Sequence, residues 1–332
     1  MVQGRSIARV RRQYNQWVAD ETLEDYALRF TARRARRWSH ARVANTALGS
    51  ISFLALEAIG GAITVSYGYD NAVLAILVVA VLIFATSLPI SYYAAKYGVD
   101  IDLLTRGAGF GYIGSTITSL IYASFTFIFF ALEAAIMSFA LELCFGLPLE
   151  IGYLLNALIV IPLVTHGITK ISRFQLWTQP LWIVLHILPF AFLLIAGGLQ
   201  PERWMAFQGR FQSVGGPDLL LFGAAASVAL SLMAQIGEQV DFLRFLPRDR
   251  RGSDRRSWWT ALIFAGPGWI VLGALKMLAG SYLAVMLLDN GVPPGIAIEP
   301  THMYLESFSR VIASPEGALA LTGLFVIVSQ LK

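Results

Sequence analysis

A handful of polar and ionisable side chains interrupt long apolar runs in this sequence. They are Glu57, Glu133, His186, Gln235, Glu238 and Lys276. A charge in a hydrocarbon environment is expensive, so such a group faces a cavity or a partner. Glu57 and Glu133 lie well inside their runs and are read as facing a functional cavity. Lys276 either joins them there or pairs with one of the acids. His186 is read as a packing histidine with its hydrogen bonds satisfied. Glu142, Glu238 and Asp241 lie near the ends of their runs, where water accounts for them. Directly after Glu57 come Gly60 and Gly61. Adjacent glycines ease a helix break of the kind that exposes backbone groups to a ligand. The same pair also suits close packing of two helices. The chemistry on offer is binding, with movement of an ion or proton.

Bond-making chemistry has little support. Gly109, Gly111 and Gly114 spell GxGxxG, but a dinucleotide loop needs a preceding strand and a βαβ unit. Here the glycines separate two apolar runs. His40, His166, His186 and His302 are scattered, and no pair has metal-ligand spacing. No GxSxG elbow occurs. The reading is therefore of a protein that is not an enzyme and has no cofactor, with Na⁺ or H⁺ as a coupling ion. The net charge of +4 does not indicate a nucleic-acid partner, because no basic stripe with interleaved aromatics lies outside the apolar runs.

Long membrane helices must position these groups. The chain has 332 residues, 56% hydrophobic and 14% charged, against about 25% charged for a soluble domain. Eight apolar blocks fall at about 43–67, 72–96, 112–144, 151–166, 174–199, 218–237, 258–288 and 317–331. Roughly 20 apolar residues span a bilayer. The fold class is thus an all-α polytopic membrane protein, with the lipid bilayer as its surroundings. Residues 43–332 form one transmembrane domain of about eight helices. Residues 1–42 form a basic amphipathic segment in which Tyr14, Trp17, Val18, Leu23, Tyr26 and Phe30 recur at helical spacing. The single cysteine, Cys144, is uninformative about redox compartment. The segment 289–316 reads as an outer loop with a short surface helix around His302–Ser309. Lys and Arg divide 20 to 3 between the tail with alternate loops and the remaining loops. That places the amino terminus in the cytoplasm of a cell with a bacterial-style inner membrane.

The stretch from Asp102 to Glu133 resembles the purine–cytosine permeases, the first class of nucleobase–cation symporters. The resemblance rests on Arg106, Phe110-Gly111, Gly114 and Phe129-Phe130-Ala131-Leu132-Glu133, where the family usually carries a tryptophan, Phe-Gly and a glutamine. Asp241-Phe242 followed by Arg244-Phe245 is similar to a second family signature. The resemblance implies a LeuT-type fold of inverted repeats. It also implies a small-molecule substrate, a nucleobase or related nitrogenous heterocycle, bound between the first, third, sixth and eighth helices. Carried over, Phe129 is the stacking aromatic, Glu133 stands for the polar glutamine, Ser231 and Gln235 belong to the sixth helix, and Gly60 and Gly61 mark the break beside Glu57. Leu232 falls where an aromatic is usual. The expected fold is truncated within the eighth transmembrane helix. Similar helix blocks also precede sensor histidine kinases, so the alternative is a transporter-like sensor with a cytoplasmic kinase partner.

The charge asymmetry makes a direct prediction. Arg251→Cys and Gly295→Cys, each in a Cys144-free background, are exposed to an impermeant thiol reagent on intact cells. The Gly295 variant is expected to react and the Arg251 variant to react only after lysis. The reverse pattern would invert the topology.

Overall fold

The computed structural model describes residues 30–31, 36–165, 167–195, 197–211, 216–247 and 254–332. The predicted surface helix of the amino-terminal tail lies outside these residues, apart from Phe30. Phe30 forms an isolated antiparallel bridge with Val99.

Every apolar block becomes helix, and the described residues contain no strand. The first block is α1 (His40–Gly49), a 3₁₀ turn at Ser50–Ser52, and α2 (Ala55–Tyr67), bent by 50°. The second is α3 (Tyr69–Tyr97), closed by Gly98 at φ 69°. A short α4 (Ile101–Thr105) leads through a π-helical turn into α5 (Gly111–Phe145), the longest helix. In that turn Gly109 and Gly111 adopt φ 107° and 66°, a backbone region that favours glycine. The GxGxxG pattern is thus the hinge into a membrane helix. Next come α6 (Leu149–Thr165), α7 (Ile168–Ile195) and the short α8 (Pro201–Met205).

The sixth block is α9 (Leu219–Leu230), a 3₁₀ stretch at Ser231–Gln235, and α10 (Ile236–Leu243). The seventh is α11 (Asp254–Ala265) and α12 (Trp269–Asp289), joined at Gly266-Pro267-Gly268. After α13 (Pro294–Ala297) and α14 (Pro300–Ser309), the eighth block forms α15 (Pro315–Leu331). Among the described residues, five helical stretches are long and apolar enough to cross a bilayer, and the bent first block makes a sixth. The blocks of α6 and α15 are shorter apolar helices.

The basic loops gather at one end of the molecule. Arg36 donates to the carbonyl of Ala95 at 2.9 Å, His40 meets Ser257 at 2.9 Å, and Arg42 donates to Ser172 at 2.8 Å. The opposite end joins Tyr69 to Phe207 and Arg203 to Asp289. This is the pairing of loops that the charge alternation requires.

Two sequence expectations fail here. The helix break falls at Ile51–Leu54, where Ile51 has φ −94°, ψ 18° and Phe53 has φ −55°, ψ 144°. Gly60 and Gly61 lie inside continuous α2 and serve close packing instead. A Cβ on Gly60 would stand 1.9 Å from the Met277 carbonyl oxygen, and one on Gly280 would stand 2.4 Å from the Glu57 Cα. Glu57, Gly60 and Thr64 share a face of α2 by helical spacing, and they meet Lys276, Met277, Gly280 and Ser281 of α12. Thr64 donates to Ser281 at 2.7 Å across the contact. The second correction concerns the expected surface helix at 302–309. α14 is tucked into the bundle, with Met303, Tyr304 and Phe308 fully buried in a core shared with α12 and α15.

Contact geometry ranks the glycines. Gly60→Ala and Gly280→Ala would force a methyl into backbone atoms, so each is expected to destabilise by on the order of 3 kcal/mol. Gly61→Ala meets the flexible end of Met303 at 2.8 Å and the Ala284 Cβ at 3.1 Å and is expected to cost less, about 1 kcal/mol. Thermal unfolding of the three variants in detergent checks the ranking. Equal losses would show that the α2–α12 approach is not the constraint.

Candidate functional site

The break in the first block leaves two half-helix ends facing each other inside the bundle. At the start of α2, the carboxylate of Glu133 accepts hydrogen bonds from the Leu54 N–H at 3.2 Å and the Ala55 N–H at 3.0 Å. A helix amino terminus carries unsatisfied N–H groups and partial positive charge. A carboxylate from α5 therefore caps it across 78 to 79 residues of sequence. On the other side of the break, the Ser52 carbonyl accepts a hydrogen bond from Lys276 Nζ at 3.1 Å.

Lys276 also forms a salt bridge with Glu57 Oε1 at 3.2 Å, with side chains 2% and 0% exposed. Its ammonium lies 5.6 Å from the centre of the Trp182 ring, within cation–π reach. The same Glu57 oxygen is 3.0 Å from His186 Nε2 and 3.1 Å from the Tyr304 hydroxyl, which donates to it. Four elements thus converge on one carboxylate: α2, which carries it, α7, α12 and α14, with the 3₁₀ turn joined to them through Lys276 and the Ser52 carbonyl.

The reading of Glu57 as a cavity residue is therefore corrected: it is the acid of a buried ion pair. Lys276 takes the pairing role, with Glu57 as its acid. His186 is bonded at Nε2 as expected, although its Nδ1 and the second Glu57 oxygen have no hydrogen-bond partner among the described residues. Tyr304 gave no signal in the sequence, because it lies in a stretch that reads as a polar loop.

Beside the break lies a cavity of about 250 Å³. Ser50, Ser52 and Phe53 line it from the first block, and Phe125, Phe129 and Glu133 line it from α5. Gln235 and Glu238 come from the sixth block, Asn156 from α6, and Ser329 and Gln330 from α15. Phe129 forms an edge contact with Phe53 at 5.8 Å between ring centres and a tilted one with Phe125 at 4.4 Å. Phe127 points away and is 74% exposed. Gln235 donates to Glu238 across the second interrupted helix.

Phe129, Glu133 and Gln235 thus come together, whereas Glu57, Gly60, Gly61 and Ser231 stand outside the cavity. The Ser231 hydroxyl is turned to its own helix, donating to the Val228 carbonyl at 2.7 Å. Leu232 is fully buried in the packing between the first and sixth blocks. Glu238 is not explained by water at a helix end, since it lines the cavity. What moves it inward is the 3₁₀ stretch at Ser231–Gln235, which changes the rotation of α10 relative to α9.

No family model matches the sequence, and no curated protein matches it. Among solved structures the chain is similar to Mhp1, a nucleobase-cation-symport-1 family transporter in a closed conformation with bromovinylhydantoin bound. The two share 14% identity and a TM-score of 0.52, over 93% of this chain and 73% of that one. At this identity the likeness establishes the fold. The chain has the LeuT-type architecture of a multi-pass membrane protein.

Removing one member of a buried ion pair strands the other, at a cost of roughly 3–5 kcal/mol. Glu57→Gln and Lys276→Met are each expected to lower detergent stability by about that much. The double variant is expected to recover more than half of the summed loss. Additive losses, measured by thermal unfolding of all four proteins, would remove the pair as a coupled unit.

Proposed function

We propose that this chain is a secondary transporter of nucleobases or related small nitrogenous heterocycles, driven by Na⁺ or H⁺ in the inner membrane with its amino terminus in the cytoplasm. The observation that carries the reading is the cavity at the meeting of two interrupted helices, with an aromatic wall and polar edge groups. Interrupted helices near the bilayer midplane are where transporters of this architecture expose backbone to cargo. A cavity of about 150 Å³ holds a benzene ring, so 250 Å³ suits one substituted ring. The ring of Phe129 can cover the face of a flat heterocycle. Glu133, Gln235 and Glu238 offer oxygen acceptors to ring N–H groups. The hydantoin bound by Mhp1 is a flat nitrogenous ring of this kind, which supports the same substrate class here.

The charge at the cavity narrows that class. The N–H groups of Leu54 and Ala55 would attract an anionic cargo, but Glu133 already fills them. A carboxylate substrate would meet a second carboxylate. The cargo expected is neutral or cationic, and it is recognised by donating hydrogen bonds.

Stacking on an aromatic side chain is worth on the order of 1–3 kcal/mol per base. Phe129→Ala is therefore expected to weaken binding of a radiolabelled nucleobase or hydantoin about ten- to a hundredfold. Phe127→Ala, whose ring faces outward, is expected to leave it unchanged. Equilibrium binding to the purified full chain across a panel of uracil, cytosine, purines and hydantoins checks both. Equal effects of the two variants would remove Phe129 as the platform, and binding of none of the panel would remove the substrate class.

A further inference from the structure

We propose that the ammonium group of Lys276 is a tethered monovalent cation, seated at the break of the first membrane helix in the place where an alkali ion would otherwise bind. A broken helix in a low-dielectric interior exposes carbonyl oxygens at one half-helix end and N–H groups at the other. Such ends bind cations and anions respectively. Here both seats are filled from within the chain. Glu133 occupies the N–H end of α2. Lys276 occupies the carbonyl end, 3.1 Å from the Ser52 oxygen and 3.2 Å from Glu57 Oε1.

Two oxygens contact the ammonium, a backbone carbonyl and a carboxylate, both of them ligand types that a monovalent cation takes, and the Tyr304 hydroxyl donates to that carboxylate at 3.1 Å. The second oxygen of Glu57 is buried without a hydrogen-bond partner among the described residues, so this carboxylate keeps an acceptor oxygen that the lysine does not use. The arm of Lys276 comes from α12, which is locked against α2 at Gly60 and Gly280. The cation is therefore positioned by backbone contact and cannot dissociate. The charged and titratable side chains facing it are Glu57, His186, Tyr304 and, across the break, Glu133. His186 Nε2 and the Tyr304 hydroxyl are turned to the Glu57 carboxylate, and the ammonium has the Ser52 carbonyl and Glu57 Oε1 as its acceptors. In the transporter reading, on which only this consequence rests, the seat contributes no Na⁺ to the transport cycle and any coupling ion binds elsewhere.

The test needs no substrate and so does not depend on the transport reading. The purified full chain is unfolded thermally in choline chloride, NaCl and KCl at equal ionic strength. Lys276→Ala should empty the seat while leaving its oxygens. That variant is expected to lose stability in choline and to regain on the order of 3 °C or more, saturably, in Na⁺ or K⁺, beyond any response of the wild type. Adding Glu57→Gln should abolish that gain. An alkali-ion response no larger than in the wild type, or one that survives Glu57→Gln, would overturn the assignment. If Lys276→Ala is recovered folded only in an alkali salt, the proposal is supported. If it fails in every salt, Lys276→Ser, whose hydroxyl adds an oxygen to the seat, is read by the same criteria. Failure of both in all three salts would overturn it.

Discussion

A helix that breaks inside a bilayer leaves peptide groups with no water to satisfy them, and each unsatisfied group costs several kcal/mol. The first membrane segment of this protein breaks at Ile51–Leu54, and much of the surrounding structure follows from making that break tolerable. Glu133 is held on α5 so that its carboxylate reaches two N–H groups, and Lys276 is held on α12 so that its ammonium reaches a carbonyl. A bare acid or ammonium would be costly in that interior. The Glu133 carboxyl is bonded by the helix end, and the lysine by Glu57 with the helix carbonyl. The break and the charges stabilise one another.

The glycines are the mechanical side of the same constraint. Lys276 reaches both Ser52 and Glu57 because α12 lies against α2 at the distance of backbone contact, which only glycine at positions 60 and 280 permits. Small residues allow such approach in membranes, where no hydrophobic driving force brings helices together. Thr64 and Ser281 continue the contact one turn further with a hydrogen bond. α14 completes the enclosure, burying Tyr304 against Glu57 and setting Tyr304 against Phe325 in a tilted contact at 4.1 Å between ring centres.

The cavity and the ion pair are neighbours that share Ser52. Ser52 lines the cavity and its carbonyl holds Lys276. A shift of the two half-helices on cargo binding would therefore be felt directly at the Lys276–Glu57 pair. Packed elements of this kind move between discrete arrangements rather than deforming smoothly. The first and sixth blocks are each interrupted by a 3₁₀ stretch, at Ser50–Ser52 and Ser231–Gln235, whose hydrogen-bond geometry is poorer than that of an α-helix.

The sequence by itself determined the class of protein, the number and order of apolar blocks, and which loops share an end. These depend on composition, length and charge distribution, which are local properties of the chain read against a bilayer. It also picked out Glu57, Glu133, Gln235 and Lys276 as unusual, because a polar group in an apolar run is visible without a structure. What each of them does was decided only by the tertiary structure. Glu57 and Glu133 look alike in sequence, each a single acid in an apolar helix. One is buried against Lys276, His186 and Tyr304, and the other caps a helix that begins 78 residues earlier. The glycine pair equally suited a break or a close contact, and the position of α12 selected contact. Glu238 was assigned to water at a helix end and Tyr304 was missed, both for one reason. Their placement comes from the rotation of α10 after a 3₁₀ turn and from the folding-in of α14. Hydrophobic periodicity carries no information about where a partner helix will stand.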